Sequence, residues 1–408
     1  MRLDPDAAVP LRRNRDYLLL LGGQGLSAVG DAVTFTALPL LVLALTGSGL
    51  QMGVVGALQT LPDFLFGLAA GALADRWDRR RMMLLADFGR ALLTALIPLS
   101  AWLGWPTMGV VLLVVGPINV LRVIWLAGWT AAVPSLVVRR QIGPAQSVFE
   151  VILNLAFVLG PALAGLAVTV VGPATTIGLD ALSFLASVGA LTLMHHRLGS
   201  TDRPHETHLL HDIREGVSFV ARHRLLRAAL GLWTLNSLAF AALTPALTYY
   251  VTRDRGLSSA DLGFVLAAFG AGALLGAVGA LRLTRGPLGP LLLGGNLIQG
   301  LLLGAASLVG GVAPLAAISF GGGIAAELVA IAYLTLRATV APNELLGRVG
   351  GATRTVSMGV APIGGLVGGL LLDAVHGAVT LQLMAAWLVA ATLLCALSPS
   401  LRAARAAP

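Results

Sequence analysis

The sequence predicts an all-α membrane protein, with twelve membrane-spanning helices in two pseudo-symmetric six-helix bundles. Three observations carry this. Hydrophobic residues are 57% of the 408-residue chain and charged residues only 11%. A soluble domain carries about 25% charged residues, so this chain cannot cover a water-facing surface. Apolar segments of the ~20 residues that a bilayer crossing needs recur along its whole length. Finally, two passages return half a chain later. Gly71-Ala72-Leu73 ends one apolar stretch and Gly279-Ala280-Leu281 ends another, 208 positions on; Pro161 has a counterpart in Pro362, 201 positions on. Such a duplication implies two homologous bundles with a site between them.

Cutting at arginine clusters and Gly/Pro turns gives spans over 17–45, 51–74, 81–103, 107–134, 142–171, 174–195, 226–251, 260–282, 288–309, 313–339, 347–373 and 378–398. The halves are then 1–195 and 226–408, joined by a linker over 196–225. The 50 glycines and 20 prolines lie inside apolar runs, as they do in membrane helices. Arg12, Arg13 and Arg15 precede an apolar stretch reaching Leu45. It is too long for a signal-peptide core and reads as an uncleaved first span.

All 27 basic residues are arginine. With the N-terminus inside, 21 of them fall on the inner tails and loops, and only Arg253 and Arg255 on the outer loops. By the positive-inside rule both termini and the linker are cytoplasmic, and the membrane is the inner (plasma) membrane. The net charge of +8 could otherwise suggest nucleic acid, but these arginines are topology determinants and no nucleic-acid partner is expected. The linker region holds His195, His196, His205, His208 and His211. Histidine clusters can bind zinc; the plainer reading is a solvated linker with Ile213, Val217 and Val220 as the apolar face of a short helix. Cys395 stands alone, so there is no disulfide framework or cysteine metal site. Without lysine there is no phosphate-binding loop, and no paired His/Glu or G-x-S-x-G pattern occurs. Neither a metal, a cofactor nor an enzymatic activity is expected.

Two motifs carry more. After the second span stands Gly71-Ala72-Leu73-Ala74-Asp75-Arg76-Trp77-Asp78-Arg79-Arg80-Arg81. It resembles the major facilitator superfamily signature G-x-L-x-D-R-x-x-R-R. The glycine suits close helix approach, and an Asp at a helix end favours the positive N-terminus of another helix. The resemblance implies a cytoplasmic latch formed by Gly71, Asp75, Arg76, Arg79 and Arg80. The second copy has Leu283 in place of the Asp, so the latch should be one-sided. The fifth span contains Gly160-Pro161-Ala162-Leu163-Ala164-Gly165, similar to the superfamily's antiporter motif G-P-x-x-G-G. Pro161 would kink the helix while Gly160 and Gly165 allow tight packing. Leu45-Thr46-Gly47-Ser48, Leu61-Pro62, the stretch from Phe149 to Pro161 and Leu346-Gly347-Arg348-Val349 further resemble an exporter group. That group contains macrolide efflux proteins, the enterobactin exporter and Tap-type multidrug pumps.

Ionisable residues inside a bilayer are costly and usually functional. Counting at 1.5 Å per residue puts Asp31, Asp63, Arg122 and Glu327 near the midplane, with Glu150 nearer the cytoplasm and Asp180 nearer the outside. Arg122 cannot lose its proton, so it requires a carboxylate from Asp31 or Asp63. Protonation of that acid would bias the conformation; a permanent structural pair is the alternative. Glu327 has no cation nearby in its own span and is a candidate proton or substrate site. The apolar cavity candidates are Phe35, Phe64, Phe66, Trp125, Trp129, Trp233, Phe240 and Tyr333, with Asn119, Asn236 and Gln59 as polar groups. Together these imply a monomeric exporter of a small lipophilic molecule, coupled to protons by antiport. An uptake symporter on the same fold, or an exporter of one self-made metabolite, would fit the same spans.

Overall fold

The computed structural model describes residues 9–195, 209–342 and 344–405, without the side chains of Leu68, Ala72, Asp75, Arg76 and residues 209–213. Among the described residues there is no strand, and the helices are long. They are α1 (Arg15–Thr46), α2 (Gly49–Arg76), α3 (Arg79–Trp102), α4 (Thr107–Leu136), α5 (Ile142–Val171) and α6 (Pro173–Thr192). After α7 (Leu209–Arg222) come α8 (Arg224–Tyr249), α9 (Ser259–Leu283), α10 (Leu288–Ala306), α11 (Val312–Val340), α12 (Leu346–Ala396) and the short α13 (Pro399–Arg402). Ten helices of the described residues are long and apolar enough to cross a membrane.

Their bounds follow local chemistry. Asp78 caps the start of α3 by accepting from Arg81 N at 2.9 Å. Ser258 and Asp261 form a reciprocal capping box at α9, satisfying two orphan backbone donors. The two spans expected over 347–373 and 378–398 are the two helical segments of α12, which meet at a break at His376. There φ is 62°, a left-handed conformation costly for a residue with a Cβ. Asp254 caps the restart, accepting from Ala378 N at 2.8 Å.

The chain forms two compact units. Unit 1 comprises Met1–Leu41 and Pro62–Glu206; unit 2 comprises Val42–Leu61 and Thr207–Pro408. In unit 1, α3 packs against both α4 and α6. Its core holds Trp125 and Trp129, stacked at 5.7 Å, and Phe149, whose ring lies 4.0 Å from that of Trp129. In unit 2, α8 packs on α12 and α9 on α11, and α10 bridges α11 and α12. The tip contributed by the end of α1 and the first half of α2 is fastened to α12. Asp373 accepts from Ser48 Oγ at 2.8 Å and Leu50 N at 3.0 Å, and also from Gly49 N. A carboxylate here satisfies free N–H groups at the start of α2 and complements its dipole. Gly53 lies against the Gly365 carbonyl so closely that a Cβ would not fit.

The linker helix exists as α7. Val220 is buried with Leu226, Ala341 and Val349, whereas Val217 is exposed. Glu215 pairs with Arg348 at the start of α12. The side chains of His211 and Ile213, and the histidines of 196–208, lie outside what the structure describes.

Candidate functional site

Two groups of charged side chains lie between the helices of unit 1. In the first, Arg122 of α4 donates to the carboxylate of Asp63 on α2. Its Nε donates to Asn119 Oδ1 at 3.2 Å, and Asn119 in turn donates to Val115 O at 2.9 Å. Of the two acids the sequence offers to Arg122, the partner is Asp63.

Asp31 belongs to the second group. Arg90 of α3 donates to it through Nη2. The other terminal nitrogen of Arg90 stands 3.7 Å from Asp87 Oδ1. The guanidinium carbon lies 4.0 Å from the Phe184 ring centre, a cation–π arrangement. Asp87 accepts from Ser187 Oγ at 2.7 Å. Asp180 of α6 accepts from Thr34 Oγ1 at 2.6 Å and from Ser183 Oγ at 2.9 Å. Gly30 of α1 packs directly on Asp180 and Ser183. Asp87, Arg90 and Asp180 are at most 2% exposed; the side chain of Asp31 is 36% exposed.

The antiporter-like stretch adjoins this group. Gly160, Pro161, Ala164 and Gly165 are all buried on α5, and Gly160 rests on Ala32 with no room for a Cβ. Ala28, Ala32 and Ala156 complete that small-residue contact, which brings α5 onto the turn of α1 that carries Asp31. Glu150, earlier on α5, is exposed.

The latch residues divide. Arg80 donates to Leu191 O at 2.8 Å and to Thr192 O at 2.7 Å, closing the carbonyl end of α6 as a cation should. Arg79 is buried, with no acceptor for its Nε among the described residues. Among the described residues, nothing lies within 4 Å of a Cβ built on Gly71. The side chains of Asp75 and Arg76 lie outside the described set.

Unit 2 contains an apolar pocket between α8, α9, α10, α11 and α12. Asn236, Gln299, Phe240, Phe269, Leu302 and Met384 are among its walls. Its polar floor is a chain of amides: Asn236 Nδ2 donates to Asn296 and, at 3.0 Å, to Gln299 Oε1. Asn296 is anchored by Thr392 Oγ1 at 2.6 Å. Asn236 Oδ1 and Gln299 Nε2 make no hydrogen bond to any described residue, leaving an acceptor oxygen and an NH2 group with two donors beside the pocket. Of the aromatic candidates, Phe240 lines this pocket. Trp233 does not: it stacks on Tyr333 at 4.8 Å within the core of unit 2. Trp125 and Trp129 are likewise core residues of unit 1, because helix packing claimed their large apolar area. Phe35, Phe64 and Phe66 are exposed.

Glu327 is half-buried on α11 beside Gly276 of α9, without an ion-pair partner among the described residues. Arg337, ten residues on, donates instead to Thr353 Oγ1 at 3.1 Å. No group of side chains suited to a metal ion occurs among the described residues.

Residues 8–407 match the model of a family described as transmembrane secretion effector. The multidrug efflux pump Tap of Mycobacterium tuberculosis is 30% identical over 96% of this chain and 95% of its own length. Macrolide efflux protein A of Streptococcus pyogenes is 23% identical over 64% of this chain and 66% of its own. In fold, the crystal structure of the nucleoside transporter NupG superposes with a TM-score of 0.75 at 13% identity, covering 94% of this chain and 98% of that one.

Proposed function

Because the chain belongs to the transmembrane secretion effector family of the major facilitator superfamily, a family of multi-pass transporters and not enzymes, we propose that it exports a small lipophilic molecule by alternating access. The export direction follows from the efflux pumps it resembles along most of its length. In this reading the chain crosses the inner membrane twelve times, counting α2 and both halves of α12 beside the other long helices, as a monomer with both termini in the cytoplasm. The bundles divide near 196–225, and the coupling ion is the proton, taken up as substrate leaves.

The observation that carries the substrate class is the pocket of unit 2. Its walls are phenylalanine, leucine and methionine, and its polar floor is neutral: Asn236 and Gln299. A mostly apolar cavity with a few convergent polar groups suits a bulky lipophilic ligand that carries a hydrogen-bonding group. Glu327, unpaired on α11, supplies either a proton site or a counter-charge for cationic substrates.

The test is growth inhibition of an efflux-deficient bacterial host making the chain, across lipophilic antibiotics and siderophores. Export predicts a raised inhibitory concentration for lipophilic compounds, and a changed set of protected compounds in Gln299→Leu. Increased sensitivity to any compound would favour an uptake symporter, and no change for any compound would overturn drug export.

A further inference from the structure

The buried acids of unit 1 outnumber their counter-charges. Asp31 on α1 and Asp87 on α3 face one cation, Arg90, and Asp180 on α6 joins them through Thr34, one turn along α1 from Asp31. The neighbouring elements add no further cation. On α5 the acid is Glu150, exposed and ten residues, or about 15 Å, from the Gly160 contact. On α4 the cation is Arg122, already engaged by Asp63. Arg90 cannot lose its proton. Three ionised carboxylates on one guanidinium would leave a net charge of −2; Asp31 is open to solvent, so the uncompensated charge falls on Asp87 and Asp180, which are nearly closed to water. Buried acids in that position take a proton instead.

The geometry says which acid holds it. Arg90 directs its hydrogen bond to Asp31 and its other terminal nitrogen toward Asp87. Among the described residues, Asp180 receives only the hydroxyls of Thr34 and Ser183, and no cation lies within hydrogen-bond reach of it. A second observation points the same way. Asp87 Oδ1 and Arg90 Nε are both fully buried and neither has a hydrogen-bond partner. The Asp87 oxygen that lacks a hydrogen bond is the one 3.7 Å from Arg90 Nη1, so the guanidinium faces both Asp31 and Asp87 and leaves Asp180 aside. Asp31 is the member of the group open to solvent, and Thr34 stands one turn along α1 from it.

We propose that the Asp31–Arg90–Asp87–Asp180 group is a proton-binding site, with Asp180 the acid that carries the proton. Binding forms one O–H bond on the Asp180 carboxylate with a proton taken from water; release returns that proton to water, and no other bond changes. Its role as the coupling proton rests on the export reading; the binding itself does not. Glu327 is then left free to meet cationic groups of the substrate.

The first test needs no substrate. Infrared spectra of the purified full-length protein carrying Glu327→Gln should show a protonated-carboxyl C=O band at neutral pH. Adding Asp180→Asn should remove most of it, and Asp180→Glu should restore it at a shifted frequency. Absence of the band in the Glu327→Gln protein overturns the proposal, whether or not Asp180→Asn folds. So does a band left unchanged by Asp180→Asn. The second test uses proteoliposomes with ethidium as probe. Asp180→Asn should keep downhill equilibration of ethidium and lose its accumulation under an imposed pH gradient. Retained pH-driven accumulation overturns the coupling role. If the unaltered chain moves no ethidium, export of that cation fails while the infrared result still decides proton binding.

Discussion

Arg122 on α4 donates a hydrogen bond to the carboxylate of Asp63 on α2. Both side chains are partly shielded, at 34% and 12% exposure. Removing one partner strands the other, so Asp63→Asn or Arg122→Ala should each destabilise the protein by about 1–3 kcal/mol. The exchanged pair, Asp63→Arg with Arg122→Asp, should recover most of the loss. Thermal melting of the detergent-purified variants measures this. Full additivity of the two changes would mean that the pair contributes nothing.

Gly160 and Gly71 should respond oppositely to alanine. A Cβ on Gly160 collides with Ala32, whereas one on Gly71 meets nothing within 4 Å among the described residues. Gly160→Ala should lower the melting temperature and expression. Gly71→Ala should leave stability unchanged or raise it by about 0.5–1 kcal/mol, the usual helical preference for alanine. Equal effects at both sites would contradict the α1–α5 contact.

Gln299→Leu removes the free donor at the floor of the unit 2 pocket and keeps its apolar walls. Compounds that bond this donor should bind about tenfold more weakly, the equivalent of one hydrogen bond of ~1.4 kcal/mol. Purely apolar ones should bind as well or better. Ligand-dependent shifts in melting temperature across a compound series would show the difference. A uniform change across the series would mean that the pocket does not choose the substrate.

Glu327→Gln keeps shape and removes charge. It should abolish protection against cationic compounds by at least tenfold, while neutral lipophilic compounds are still exported. Growth assays with matched cationic and neutral drugs read this directly. Parallel loss of both classes would assign Glu327 to energy coupling.

The helices and their order were legible because hydrophobic length and arginine placement are local signals. The span over 142–171 and α5 coincide, as does the break between 373 and 378 with His376. The partner of Arg122 was legible only as a choice of two acids, since depth along a helix does not give its rotation. Of the Arg90 group, Asp31 and Asp180 are legible as acids inside spans, but Asp87 and Arg90 are not singled out by the sequence reading. Asp87 and Arg90 stand three residues apart, on one helix face. Asp180, Ser183 and Ser187 recur at helical spacing as a polar stripe on an apolar span. Those two stripes were a usable signal; that they face each other is a tertiary fact. The aromatic residues misled for a related reason. Trp125, Trp129, Trp233 and Tyr333 have the composition of a drug pocket, yet packing buried them in the cores.

Everted membrane vesicles distinguish efflux in exchange for protons from every other mode of transport. Vesicles from cells making the chain, energised to an acidic interior, are given ethidium and a neutral lipophilic antibiotic. The account predicts accumulation inside that depends on the chain and collapses when the pH gradient is dissipated. Accumulation that survives loss of the gradient, or chain-dependent movement of both compounds out of acidic vesicles, would contradict it.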